Sequence, residues 1–282
     1  TLSSSSAASD VYKRQTLYAS IIPKHIYDGK DILTNPANMA PIGTGPFMFK
    51  EWVHGSYITL VRNPKYFKAG LPYLNKVVHK IIPDVTSQAT AMEAGEIDGV
   101  YAPSYKYKDW SKDPRFYLTA DRETAQAGMY VIQFNMREDH PPVGGFSERA
   151  LKVRKALAYA TNRTWIIENV FFGLADLGTS PFHSKTWGYK NVAKDNPILY
   201  DLTLANKLLD EAGYPVKADG WRFQLYMPYV AGTEEEKIAE YLRDNWKKVG
   251  VKVNLEGMDR PPKLGKWGRG EFDVIYEGPY HG

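Results

Sequence analysis

Ile42-Gly-Thr-Gly-Pro-Phe-Met-Phe-Lys-Glu-Trp52, followed by Arg62-Asn-Pro-Lys-Tyr-Phe67, decides the reading of this chain. Paired glycines before Pro46 make a turn. The alternating residues after it make a strand, and a second turn ends in aromatics. Gly43-Thr-Gly45 superficially suggests a phosphate cradle, but it feeds a strand. The oriented N–H groups and dipole of a helix N-terminus, which bind phosphate, are therefore missing. The segment reads as scaffold for holding a ligand, not as machinery for transforming one.

Working outward, Tyr57, Thr59 and Val61 alternate with Ile58 and Leu60, and Asn63-Pro64 stops that strand. Val77 to Ile82 reads as a buried strand, Thr86 to Ala94 as a helix closed by Gly95, and Ile97 to Tyr101 as a strand. Together they predict a first βαβ unit. Asp109 to Arg122 is polar and irregular, whereas Met129 to Asn135 alternates as a strand. A boundary is expected near 122–130, with that strand crossing as a hinge. Ser147, Asn162 and Asp201 are positioned to cap three helices, and Thr233 with Glu236 forms a capping box for a fourth. Strands at Arg222 to Tyr229 and Val251 to Glu256 flank the fourth helix as a second βαβ unit, and Phe272 to Tyr276 supplies one more strand.

Thr1 to Gln15 is serine-rich, lacks the apolar stretch of a signal peptide, and is set aside from the fold as a disordered, non-native-looking tail. The remaining expectation is 16–125 as part of one lobe and 126–282 as a second lobe, cut short at its end. The 282 residues are 43% hydrophobic and 24% charged, the balance of a globular protein. A net charge of +4 with interspersed signs gives no basic patch for nucleic acid. The absence of cysteine excludes disulfides and thiolate metal sites.

Enzyme motifs are missing. Gly145-Phe-Ser-Glu-Arg149 fails the nucleophile-elbow pattern at its last position, and no H-E-x-x-H or P-loop occurs. The six histidines have no ligand spacing. Glu96 and Asp98 are a carboxylate pair beside a turn glycine, more suited to solvating that turn than to acid–base work across a cleft. In open α/β sheets ligands sit beyond the carboxyl ends of the strands. That rule selects Tyr229, Tyr276, Gly278 and Tyr280 as candidate contacts, with Asn135 at the end of the hinge strand and Trp187 in an aromatic loop. No metal or cofactor is expected.

The motifs, taken in order, resemble the family 5 extracellular solute-binding proteins, the peptide- and nickel-type receptors of ABC importers. The matching stretches are Pro23-Lys-His25, Gly43-Thr-Gly-Pro-Phe47 with phenylalanine for tyrosine, and Arg62-Asn-Pro-Lys-Tyr66 with departures at Lys65 and Phe67. Gly95-Glu-Ile-Asp98, Phe134-Asn135, Val153-Arg-Lys-Ala-Leu157 and Ala160-Thr-Asn-Arg163 follow, with Asn162 in an aspartate position. Leu208-Leu-Asp-Glu-Ala-Gly213 and Gly250-Val-Lys-Val253 complete the series.

The resemblance implies a two-lobed α/β periplasmic-binding-protein-like fold of class II, cluster C type, incomplete at both ends. It implies a monomer, periplasmic or extracellular, with lipid anchoring left open, that binds oligo- or dipeptides and delivers them to ABC permease subunits. It is not expected to be an enzyme. Nickel chelates, oligosaccharides and opines are the alternatives within the class, and an α/β hydrolase is the alternative outside it. The family's amine-binding aspartate is expected beyond Gly282, not at Asp273. A further reading is that this length of chain binds nothing by itself.

Overall fold

The computed structural model describes residues 22–118, 129–180, 189–192 and 198–280. Contacts divide the chain into two compact units, Thr1–Pro83 and Asp84–Gly282.

In the first unit a short helix α1 (Lys24–Tyr27) precedes a three-stranded antiparallel meander, β1 (Phe47–Val53), β2 (Tyr57–Arg62) and β3 (Lys76–Lys80). Phe49 faces Leu60, which in turn faces Val77. A register shift between Phe49 and Glu51 absorbs Lys50 as a bulge. The opening motif and the Arg62-Asn-Pro turn meet here. Asn63 Nδ2 donates to the Gly45 carbonyl at 2.8 Å, Asn63 N donates to Pro46 O at 2.9 Å, and Asn63 Oδ1 accepts from Lys65 N at 3.0 Å. The third strand differs from expectation. Only Val77 in it is partly covered, because Lys76, His79 and Lys80 place charge or polarity around a short edge strand.

The second unit begins with α2 (Val85–Glu93), capped by Asp84, whose carboxylate accepts from Ser87 N at 2.7 Å. The first βαβ unit does not form. Residues 97–101 lie outside any ladder, Tyr101 is 93% exposed, and β3 belongs to the other unit. A strand needs a neighbour to pair its backbone groups, and this apolar run has none among the described residues. The stretch read as irregular from Asp109 overlaps the end of α3 (Tyr107–Trp110), whose buried Trp110 donates to Glu93 Oε1 at 2.9 Å and stacks on Phe116. The division at Pro83/Asp84 differs from the boundary expected near 122–130, and residues 119–128 are outside the described set. Ser104 Oγ donates to Glu234 Oε1 at 2.7 Å, which ties the 84–118 segment to a much later helix.

Strand β4 (Met129–Phe134) leads to α4 (Glu148–Tyr159), α5 (Arg163–Asn169) and α6 (Leu202–Glu211). Ser147, Asn162 and Asp201 cap these helices as the sequence predicts. The second βαβ unit also forms. Strands β5 (Phe223–Val230) and β6 (Val251–Met258) are parallel, joined by α7 (Glu234–Lys247). Thr233 caps α7 through Glu235 N, while Glu236 reaches back to Gly232 N, one residue earlier than a standard capping box.

Helix α8 (Arg260–Arg269) holds two prolines and two glycines in ten residues, a composition that does not announce a helix. The prolines occupy its first turn, where the missing N–H costs nothing, and Gly270 ends it in the left-handed conformation. Strand β7 (Val274–Tyr280) runs antiparallel to β4, and Asp273 N donates to Tyr226 O beside β5. The core of this unit gathers Leu157, Leu209, Leu225, Met227, Leu242 and Trp246 between helices and strands.

Candidate functional site

The strand ends that the sequence nominates lie together in the second unit. Tyr229 is the penultimate residue of β5, and its hydroxyl donates to Glu236 Oε1 at 3.4 Å. Gly257 on β6 admits that ring: a Cβ there would stand 2.8 Å from the Tyr229 hydroxyl. Tyr276 is buried, with its ring stacked on Tyr130 of β4 at 5.8 Å and nearly parallel. Gly278 has φ of +154°, and a Cβ on it would meet Tyr130 Cδ1 at 2.7 Å and the Met129 carbonyl at 2.9 Å. Only glycine lets the end of β7 lie this close to β4. Tyr280 pairs with Met129 at the end of the ladder. Trp187 lies outside the described residues.

Asn135 is 5% exposed, and its amide is committed to the backbone. Nδ2 donates to Gly270 O and Phe272 O, both at 2.8 Å, while Oδ1 accepts from Arg137 N. Both amide protons therefore hold the turn between α8 and β7, which leaves no donor for a ligand. His140 Nδ1 sits 2.9 Å from Asp273 Oδ1, and Asp273 Oδ2 accepts from Tyr226 N. Asp273 thus joins the loop after β4 to β5.

Burial holds the Tyr276 phenol far above the usual tyrosine range, helped by Tyr130 and by the Glu234, Glu235 and Glu277 carboxylates. Burial, followed by Glu236, also raises Tyr229. Both therefore remain neutral phenols, apolar across the ring and polar at the tip.

The same unit has an open cavity of about 570 Å³, lined by Ser104, Tyr105, Tyr107, Lys108, Glu168 and Phe172 among others. Its volume falls within the range of small-ligand pockets, and it mixes aromatic walls with charges of both signs. Two contact chains connect it to β7. Ser104 bonds Glu234 in the first turn of α7, and Phe171, beside Phe172, packs on Tyr130, which stacks on Tyr276. Phe172 is a non-glycine residue at φ +51°, followed by Gly173 at +76°. Left-handed backbone at an aromatic residue concentrates at functional sites.

A smaller cavity of about 310 Å³ near Glu148 and Glu211 offers less, since Lys152 already pairs with both carboxylates, at 3.4 and 3.3 Å. Glu96 and Asp98 stand two residues apart in one exposed turn after α2. Among the described residues no group of three or more His, Cys, Asp or Glu could hold a metal ion.

Sequence reasoning missed Ser104, Phe172, Lys263 and Glu277. The Phe172-Gly173 pair at the end of a helix was a usable signal for one of them. Nothing around Lys263 distinguishes it from the other surface-type lysines of its Pro- and Gly-rich stretch.

Comparison with known proteins places this arrangement. The oligopeptide-binding protein AppA of Bacillus subtilis is 31% identical over 248 residues, which are 84% of this chain and 44% of that protein. The heme-binding protein A of Haemophilus influenzae is 31% identical over 221 residues, 76% of this chain and 37% of that protein. The structure of Bacillus subtilis AppA in complex with a nonapeptide superposes with a TM-score of 0.78 at 26% identity, over 97% of this chain and 55% of that one. The chain thus spans less than half the length of these two curated relatives. The profile described as "Bacterial extracellular solute-binding proteins, family 5 Middle" matches residues 3–280, and its span includes most of the serine-rich opening. The mixed α/β build, the fold likeness to a solved family member and a family match over nearly the whole length agree, and the chain belongs to the family 5 bacterial extracellular solute-binding proteins.

Proposed function

We propose that the chain is the ligand-holding part of a substrate-binding component of an ABC importer, which binds oligo- or dipeptides and delivers them to permease subunits. The protein works as a monomer outside the cytoplasmic membrane, by binding and release without chemistry. The observation that carries this reading is the family match over residues 3–280, reinforced by a peptide-binding relative at 31% identity.

Ligand is held at the carboxyl ends of β5 and β7, by Tyr229, Tyr276, Gly278 and Tyr280, and along the adjoining cavity at Tyr105 and Phe172. Peptides suit such a site for a physical reason. Their backbones need amide-type hydrogen bonds and their side chains need apolar walls, and a mixed aromatic and charged surface supplies both. Binding acts by favouring the conformation that contacts ligand best, so the ligand shifts a population that already exists. In that scheme Asn135 serves the site by holding the turn before β7.

Titration calorimetry of the chain against di- to nonapeptides tests this. Saturable heat with at least one peptide class supports it. No heat with any peptide, together with saturable binding of a nickel chelate, an opine, an oligosaccharide or haem, overturns the peptide assignment and keeps the transport reading.

A further inference from the structure

Lys263 is 2% exposed, the most deeply buried charged side chain of the described residues. It rises from α8 and its ammonium meets three oxygens from two other elements, α7 and β7. Nζ donates to Glu235 Oε1 at 2.6 Å in the first turn of α7 and to the Tyr276 carbonyl at 2.7 Å in β7. Glu277 Oε1, also in β7, lies 2.6 Å away as an ion pair but off the hydrogen-bonding direction, so it supplies charge without a directed bond. The second oxygen of Glu235 accepts from Val230 N, the last amide of β5, at 2.5 Å. One ammonium therefore joins the end of β5, the start of α7, α8 and the end of β7.

Stability does not explain this choice of residues. Desolvating an ammonium and two carboxylates costs several kcal/mol per ion, and well-packed apolar residues in place of buried ion pairs are commonly neutral or stabilising. What the charged cluster adds over an apolar one is direction. An ammonium with fixed acceptors specifies where each partner must stand. Its partners at Tyr276 and Glu277 come immediately before Gly278, the residue held against Met129 and Tyr130.

We propose that Lys263 is a positioning residue for ligand, whose ammonium fixes the carboxyl end of β7 from Tyr276 to Gly278 against the end of β5 and the first turn of α7. The proposal rests on the reading that ligand sits at these strand ends. Glu235 and Glu277 are its anchors, and Glu234, beside Glu235, carries the same register to Ser104 in the wall of the cavity. Displacing the ammonium lets the last residues of β7 shift relative to the cavity. A shift of that kind loosens a preorganised site without unfolding the protein.

The test uses a charge-balanced variant, Lys263→Met with Glu235→Gln and Glu277→Gln. Lys263→Met alone strands two buried carboxylates and would measure only their cost. Two readouts are made on the chain. Amide hydrogen exchange is expected to quicken by about tenfold at Tyr276, Glu277 and Gly278 and to stay unchanged at Val274 and Ile275, with cooperative unfolding retained. Calorimetry with whichever peptide the wild type binds is expected to show affinity about tenfold weaker.

Unchanged exchange at 276–278 overturns the proposal, whatever the peptide result. Faster exchange with unchanged affinity also overturns it, since the strand end would then be positioned for nothing the ligand feels. A wild type that binds no peptide overturns the proposed function instead, and the exchange result still decides whether Lys263 positions β7. Should the triple variant fail to unfold cooperatively, Glu277→Gln alone keeps Lys263 paired with Glu235 and predicts the same local change at smaller size.

Discussion

The sheet of the first unit and the strands of the second are built from similar residues and held in different ways. No residue of β1 or β3 is buried, and Thr59 is the single buried residue of β2. In the second unit Leu225, Met227, Val251 and Val253 are all buried, sealed by α7 with Ile238, Leu242 and Trp246. The first sheet is therefore specified by ladder register and turn chemistry, and the second by exclusion of water. A mutation should be felt in the first unit through hydrogen bonds and in the second through volume.

The sharpest way to break that contrast is a matched pair of tryptophan truncations. Trp246 is 1% exposed, donates to Thr161 Oγ1 at 3.0 Å and stacks on Phe134. Trp52 is 38% exposed and packs its ring on His54, with centroids 4.1 Å apart. Trp246→Ala is expected to cost about 3–5 kcal/mol in urea unfolding, and Trp52→Ala less than about 1 kcal/mol. Equal losses would mean that the first sheet has a hidden core.

The alkaline limb of stability should be a property of the second unit. Tyr241 is pushed up to about 12, chiefly by burial, against a backbone bond with Asn162 that acts the other way. The phenol is neutral when protonated, so a raised value favours the folded chain while the proton is on. That contribution is complete below pH 10 and is lost as pH rises from about 10 to about 12. It amounts to about 2 kcal/mol, and Tyr241→Phe should flatten the slope of unfolding free energy over that window. A slope unchanged by the substitution would locate the titration elsewhere.

Glycines give a finer comparison. Gly250 and Gly55 both have positive φ, +75° and +73°. A Cβ at Gly250 would stand 3.2 Å from Arg222 Cγ, whereas nothing lies within 4 Å of one at Gly55. Arg222 is itself fixed by Val249 O, Asp210 and Asn206, so it cannot easily give way. Gly55→Ala should cost the left-handed backbone term alone, about 1 kcal/mol, and Gly250→Ala about 2 kcal/mol. Thermal unfolding followed by circular dichroism resolves the difference. Equal shifts would show that Arg222 yields.

This contrast also explains what could be read in advance. Caps and turns were legible, because Ser147, Asn162 and Asp201 satisfy helix amides through their own side chains, a strictly local act. The β5–α7–β6 unit was legible because its apolar stripe and its strands agree at every level. Residues 97–101 do not form the strand read from them, since a β-favouring stretch becomes a strand only where a neighbour exists to pair with it. Helix α8 was hidden because prolines in a first turn look like a break. The site divided along the same line. Tyr229, Tyr276 and Gly278 follow from a rule about strand ends. The contacts of Lys263 with Tyr276 and of Ser104 with Glu234 join separate elements, and no local pattern announces them.

The most local of these comparisons is also the best test of what the opening motif is for. In the first unit Asn63 closes the loop between the Gly43-Thr-Gly45 turn and the end of β2 with one side-chain donor and one side-chain acceptor. If turn chemistry holds this sheet, Asn63→Asp should keep the bond from Lys65 N and lose the one to Gly45 O, at about 1 kcal/mol. Asn63→Ala should lose both, at about 1.5–2 kcal/mol, still well below the loss at Trp246. Amide exchange at Phe47 and Arg62, which pair at this end of β1 and β2, should rise in the same order, while Trp52 and Ile58 at the far end stay unchanged. Equal protection in all three proteins would mean that the ladder alone sets the register. The two motifs would then be neighbours in the fold without supporting each other.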